Sequence, residues 1–196
     1  MSALEDRILD AAKLCCERWG VAKVTIDDVA ATAGVSRATL YRLFPGGKDV
    51  LFDALRVREL NEFFAVLQAE VDGLDGLEDI VVRAVVVATR ELRADQHLAL
   101  MLAAAPGETL GQLTVDGLPR IIRMATVTLT PMVRPFLPEA TARRLIDILA
   151  RLTISYFLAP SDDGGLDLGD EISARAFLRP VIAVLTTPEP TADPIS

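Results

Sequence analysis

Thirteen residues near the N-terminus, Thr32–Phe44 (TAGVSRATLYRLF), leave the backbone few choices. Glycine enters the left-handed region without a Cβ penalty, so a helix ending at Ala33 can turn sharply at Gly34. Val35 is apolar and plugs the angle between two helices. Ser36 is a strong N-cap type, its hydroxyl placed to accept from the first turn of the next helix. Leu40 and Phe44 fall four apart on one face, ready to pack on Val29 and on an earlier helix. Ala30 is small enough for two helices to approach closely. A helix, a three- or four-residue turn and a second helix make a helix-turn-helix.

The apolar spacing is helical almost everywhere else, and strand-like alternation is nearly absent. A first helix begins at Ser2, with Glu5 three positions on in a capping-box spacing. Its expected buried stripe is Ile8, Ala12, Cys15 and Trp19, and Gly20 stops it. A second helix begins at Thr25, with Asp28 three positions on, and ends before Gly34. The third follows Ser36 and ends at Phe44, before PGG. A fourth starts near Lys48 and runs to about Val71. Further helices are expected over 77–93, 95–105, 118–136, 139–159 and 171–186. The fold class is therefore all-α. A three-helix helix-turn-helix domain occupies 1–47, and a helical domain occupies 48–187. The tail 188–196 is expected to be disordered, since TPEPTADP has three prolines in eight residues.

Charge separates the two parts. The net charge is −8, yet residues 1–60 hold nine Lys/Arg and nine Asp/Glu. The remaining eleven basic and nineteen acidic residues follow. A polyanion is repelled by the second part and tolerated only by the first. With 51% hydrophobic residues the chain has apolar surface for a large core, with some left for a cavity or a subunit interface. No uncharged apolar run reaches the roughly 18–20 residues of a membrane span, and the polar start MSALEDRILD has no signal-peptide pattern. The expected compartment is the cytoplasm, with no membrane partner. Cys15 and Cys16 are adjacent, about 100° apart on a helix, so they do not bridge each other. They read either as oxidant sensors or as buried core residues. With a single histidine, His97, no metal-ligand cluster exists, and no cofactor is expected.

The outward face of the third helix carries Arg37, Ala38, Thr39 and Arg42, with Leu43 partly on it. Ala38 and Thr39 are small enough to let a helix enter a major groove. Arg42 can donate two hydrogen bonds to guanine O6 and N7. Thr39 can reach a base edge or a thymine methyl. Tyr41 borders the face, where its hydroxyl suits a phosphate oxygen. Lys48 opens the fourth helix, whose amino-terminal N–H groups also favour an anion. Thr25, at the start of the second helix, can donate to another phosphate. Leu43 has two readings, apolar contact with DNA or packing against the first helix.

The stretch Val24–Leu55 resembles the DNA-binding region of the tetracycline-repressor (TetR) family of transcriptional regulators. Thr25, Ile26, Val29, Ala30, Ala33, Gly34, Val35, Ser36, Thr39, Leu40, Tyr41, Phe44, Lys48, Leu51 and Leu55 carry the resemblance, which spans about residues 4–56. One departure is the link between Phe44 and Lys48, three residues here and two in many members. The resemblance implies an all-helical homodimer whose N-terminal helices bind double-stranded DNA, usually to repress. It implies that the C-terminal domain binds a small-molecule effector that releases the DNA. Two recognition helices about 34 Å apart are needed to read a palindromic operator.

Beyond Leu60 the resemblance assigns no residue. A cavity among the C-terminal helices would favour an apolar or amphipathic ligand, with Met101 and Met124 in its lining. Arg90, His97, Thr126 and Tyr156 are candidate polar anchors. His97 also reads as a packed or exposed structural histidine. Leu145, Ile148, Leu149, Leu152 and Tyr156 recur at three- or four-residue steps, as do Phe177, Val181 and Leu185. These helices are candidates for a dimer interface, although Pro180 interrupts the second. They serve equally as cover for their own core. No nucleophile elbow or oxyanion-type glycine motif accompanies the serines and acids, so catalysis is not expected. The other reading is a small-molecule sensor or carrier of the same fold without DNA binding.

Overall fold

The computed structural model describes residues 2–95, 98, 117–160 and 165–186. Among them every regular element is a helix: α1 Ala3–Trp19, α2 Ile26–Ala33, α3 Arg37–Leu43, α4 Lys48–Val71, α5 Leu77–Ala94, α6 Leu118–Val133, α7 Glu139–Leu158 and α8 Glu171–Thr186. Apart from Asp95 and Leu98, the expected helix over 95–105 lies outside the described residues, as does the tail 188–196.

Local signals set the boundaries. The Ser2 hydroxyl accepts from Glu5 N–H, and Glu5 reaches back to Ser2 N–H at 2.7 Å. Thr25 and Asp28 repeat the same reciprocal cap on α2. Gly34 takes the left-handed conformation (φ 65°, ψ 38°), and Val35 N–H donates to Ala30 carbonyl at 3.0 Å, which closes α2 as a Schellman turn. Helix α8 continues through Pro180 and α6 through Pro131.

The residues cluster into two compact units. The first holds α1, α2, α3 and α4 as far as Phe63. Ile8, Leu9, Ala12, Cys15, Val29 and Leu40 bury in its core with Leu51, Phe52 and Leu55 of α4. That packing carries the unit past residue 47, where the sequence reading drew the boundary. Trp19 corrects the expected α1 stripe. It is 41% exposed, under the Arg18 guanidinium at 5.4 Å from the ring centre. Helical periodicity names a face but not how far along it the partner packs.

The second unit holds α4 from Phe64, α5 as far as Leu92, and α6 to α8. Val81, Val82, Val85 and Val86 of α5 pack with Leu145 and Leu149 of α7 and with Leu178 and Ile182 of α8. Each such burial contributes roughly 1.5–3 kcal/mol. Helix α6 lies along α7. Arg175 of α8 pairs with Asp79 at 2.7 Å and with Glu78 at 3.2 Å, which ties the start of α5 to α8.

Candidate nucleic-acid interface

Leu40 is fully buried and fixes how α3 is turned. At about 100° per residue, Ala38 and Arg42 fall roughly opposite Leu40, with Thr39 and Tyr41 on the two flanks. Ala38 and Arg42 are exposed. No hydrogen bond or ion pair engages Arg42 among the described residues. Its five donors are available to a base edge. Leu43 is half-buried and packs against the core of the first unit, which favours the packing reading over the DNA contact.

The flanks are braced. The Ser36 hydroxyl accepts from Thr39 N–H at 3.1 Å and lies 2.9 Å from the Thr39 hydroxyl. Arg37 reaches Asp27 of α2 at 3.1 Å and lies over the Tyr41 ring, 5.5 Å from its centre. The hydrogen bond to Tyr41, and then the charge of Asp27, raise the Arg37 pKa. Arg37 therefore links α2, α3 and Tyr41, and part of its charge is matched before DNA arrives. Tyr41 is 40% exposed. Its ring rests on Gly47, where an added Cβ would lie 3.1 Å from the ring edge. Gly47 has φ +69°, so both conformation and space call for glycine.

Thr25 caps α2 with its hydroxyl and backbone. Its hydroxyl donates to Asp28 Oδ2 at 2.6 Å and accepts from Asp28 N–H at 3.2 Å. The bond from the Thr25 hydroxyl, and then the one from Thr25 N–H to Asp28 Oδ2 at 2.9 Å, hold the Asp28 carboxyl below its ordinary range. Thr25 is exposed beside the start of α2, but its hydroxyl proton is already placed. Lys48 is half-buried, and its ammonium donates to Val21 carbonyl at 3.0 Å and to Ala22 carbonyl at 3.3 Å. The Arg37–Asp27 and Lys48–Val21 contacts carry no local sequence signal, because each depends on how separate elements are angled.

The remaining candidates fall in the second unit. Arg90 donates to Gly169 carbonyl at 2.8 Å, a tie within the unit. Tyr156 packs edge-on against Phe177, with ring centres 5.5 Å apart. Met124 and Thr126 are half-buried on α6, and Thr126 donates to Ile122 carbonyl at 2.8 Å. His97 and Met101 lie outside the described residues. Leu145 and Leu149, expected at a dimer interface, are taken up by the unit's own core. A three- or four-residue repeat marks a buried face without saying which chain buries it. Ile148, Leu152, Phe177, Val181 and Leu185 are half-buried. Cys15 and Cys16 are both buried, and burial pushes the Cys16 thiol up to about 12. So little thiolate at Cys16 weighs against oxidant sensing there. Among the described residues no group of metal-ligating side chains occurs, and no helix is long and apolar enough to cross a membrane.

Residues 8–55 match the family described as bacterial regulatory proteins, tetR family. An HTH-type transcriptional regulator of Mycobacterium bovis is 40% identical over 181 residues, covering 88% of this chain and 86% of the relative. Another, from Mycobacterium tuberculosis, is 27% identical over 188 residues, covering 95% of this chain and 87% of the relative. The solved TetR family repressor AlkX from Dietzia, implicated in biodegradation of n-alkanes, superposes with a TM-score of 0.67 at 22% identity. It covers 93% of this chain and 97% of its own. A transcriptional regulator from Streptomyces coelicolor does so at 0.60 and 23%, covering 95% of this chain and 100% of its own. At these identities the structural likeness speaks to the fold.

Proposed function

The chain belongs to the tetR family of bacterial regulatory proteins, a helix-turn-helix transcriptional regulator rather than an enzyme, and from that premise we propose a dimeric repressor released from a palindromic operator by a small apolar or amphipathic molecule. One observation carries the reading most. Opposite the buried Leu40, α3 presents a small residue and an unengaged arginine between two braced hydroxyl-bearing flanks. Ala38 leaves room for a groove wall, Arg42 reads guanine, and Thr39 reads an adjacent base edge. Tyr41 positions the unit on a phosphate oxygen. The acidic second part discourages non-specific attachment to the duplex.

The effector's character follows from the lining available. The buried polar residues on α5 to α8, among those described, are Thr89, Thr130 and Thr153. Thr89 and Thr153 donate back to Val85 and Leu149 carbonyls. The Thr130 hydroxyl is buried without a partner among the described residues. An interior this apolar, with one unanswered hydroxyl, suits a hydrocarbon body carrying a single oxygen function. Helix α4 contributes residues to both units. A ligand among the C-terminal helices that shifts α4 changes the spacing of the two recognition helices. Ligand and DNA then disfavour each other by the same coupling energy, of order 1–3 kcal/mol.

The test is release of labelled operator DNA, followed by anisotropy, on titration with medium-chain alkanols, fatty acids, alkanes and sugars. Alkanols or fatty acids should release the DNA, and Thr130→Val should narrow their advantage over alkanes. Release by sugars alone contradicts the effector assignment.

A further inference from the structure

Lys48 opens α4, and the family resemblance would give it to a DNA phosphate. Its surroundings direct it elsewhere. The ammonium has three N–H donors. Two point to the carbonyls of Val21 and Ala22, at 3.0 and 3.3 Å. The Phe52 ring, one turn further along α4, lies 5.7 Å from the nitrogen and shields another side. Val21 and Ala22 belong to the turn between α1 and α2, immediately ahead of the Thr25 cap. Lys48 therefore joins the start of α4 to the turn from which α2 starts.

The link before it explains the reach. Pro45, Gly46 and Gly47 separate Phe44 from Lys48, with φ +122° at Gly46 and +69° at Gly47. Gly47 N–H donates back to Phe44 carbonyl at 3.0 Å, and Gly47 carbonyl accepts the first bond of α4 from Leu51 N–H at 3.0 Å. This tight three-residue link, one longer than in many family members, sets the first turn of α4 with Lys48 aimed at the α1–α2 turn.

We propose that Lys48 is a positioning residue, which staples α4 to the α1–α2 turn and so places α2 and its Thr25 cap for the operator, instead of neutralising a phosphate. A displacement of α4 then reaches α2 through two charge-assisted hydrogen bonds as well as through apolar packing. This rests on the reading of the chain as an operator-binding regulator.

The experiment compares the full-length protein with Lys48→Met and Lys48→Arg on the operator selected by the wild type. Affinity is measured at several salt concentrations, at a temperature where circular dichroism shows every variant folded. Lys48→Met, folded, should bind about tenfold more weakly, on the scale of a lost charged hydrogen bond. Its slope of log affinity against log salt should match that of the wild type. Lys48→Arg, which still donates to both carbonyls, should recover most of the loss. A slope smaller by about 0.9 per subunit makes Lys48 a phosphate contact and overturns the proposal. Unchanged affinity in folded Lys48→Met overturns it too. A wild type that selects no duplex site fails earlier, and takes the regulator reading down with it.

Discussion

Arg42 and Tyr41 are neighbours on α3, yet their surroundings give them different work. Arg42 is unengaged and lies opposite Leu40, whereas Tyr41 is stacked between Arg37 and Gly47 at the edge. Arg42→Ala should relax base preference at one position in each half-site and cost about 1–3 kcal/mol on the preferred sequence. Tyr41→Phe should weaken all sequences about equally. Parallel binding to a panel of single-base operator variants separates the two, and the reverse pattern would exchange their roles. Gly47→Ala puts a methyl 3.1 Å from the Tyr41 ring at a positive φ. It should lower the melting temperature and weaken operator binding by moving Tyr41. The Thr25–Asp28 cap gives a pH signature. Because Asp28 is held below its ordinary pKa, its contribution is present above about pH 4 and lost as acid protonates the folded carboxyl. Acid unfolding curves of the wild type and Asp28→Asn should therefore converge at low pH. A gap that persists there contradicts the cap's role. The two capping boxes were legible in the sequence because cap and acceptor are three residues apart. Arg37 and Asp27, ten residues apart, meet only once the angle between α2 and α3 is known.

At the scale of elements, the first stretch of α4 belongs to the DNA-binding unit by more than apolar contact. The Arg58 side chain is 11% exposed, reaches Asp10 of α1 at 2.8 Å and donates to Asp6 carbonyl at 3.3 Å. Lys13 and Glu59 add a second α1–α4 pair at 3.4 Å. Arg58→Ala should destabilise the protein by about 1–3 kcal/mol, since it empties a nearly buried site and removes the bond to Asp6 carbonyl. Urea unfolding measures this, and a change within experimental scatter would show that α4 is held by packing alone. Lys13→Ala, at a half-exposed pair, should cost less than about 1 kcal/mol. Helix existence and order were legible, because caps, glycines and a 3.6-residue period are local marks. What those marks omit is the packing partner. Trp19 carries the period of its stripe yet is exposed, and Leu145 and Leu149 carry an interface-like repeat yet bury in their own unit.

At the scale of the whole molecule, a palindrome reader needs two copies. With Leu145 and Leu149 spent on the core, the outward face of α8 is the better candidate for pairing. Ile172 is 82% and Val184 75% exposed, and Ala176 and Pro180 lie between them at helical spacing. Ile172→Glu combined with Val184→Glu should give a folded monomer by analytical ultracentrifugation. That monomer should lose most operator affinity although α3 is untouched. A dimer that survives both substitutions places the interface elsewhere. Composition carried the charge asymmetry that favours duplex contact through the first unit alone, but no sequence pattern distinguishes a partner's surface from a chain's own core.

The most direct measurement is selection of binding sites from random duplex DNA by the purified wild type, at two salt concentrations. One palindromic site is expected, its half-sites about one helical turn apart, bound more weakly at the higher salt. A folded dimer that enriches no sequence at either concentration would contradict α3 as the reading element.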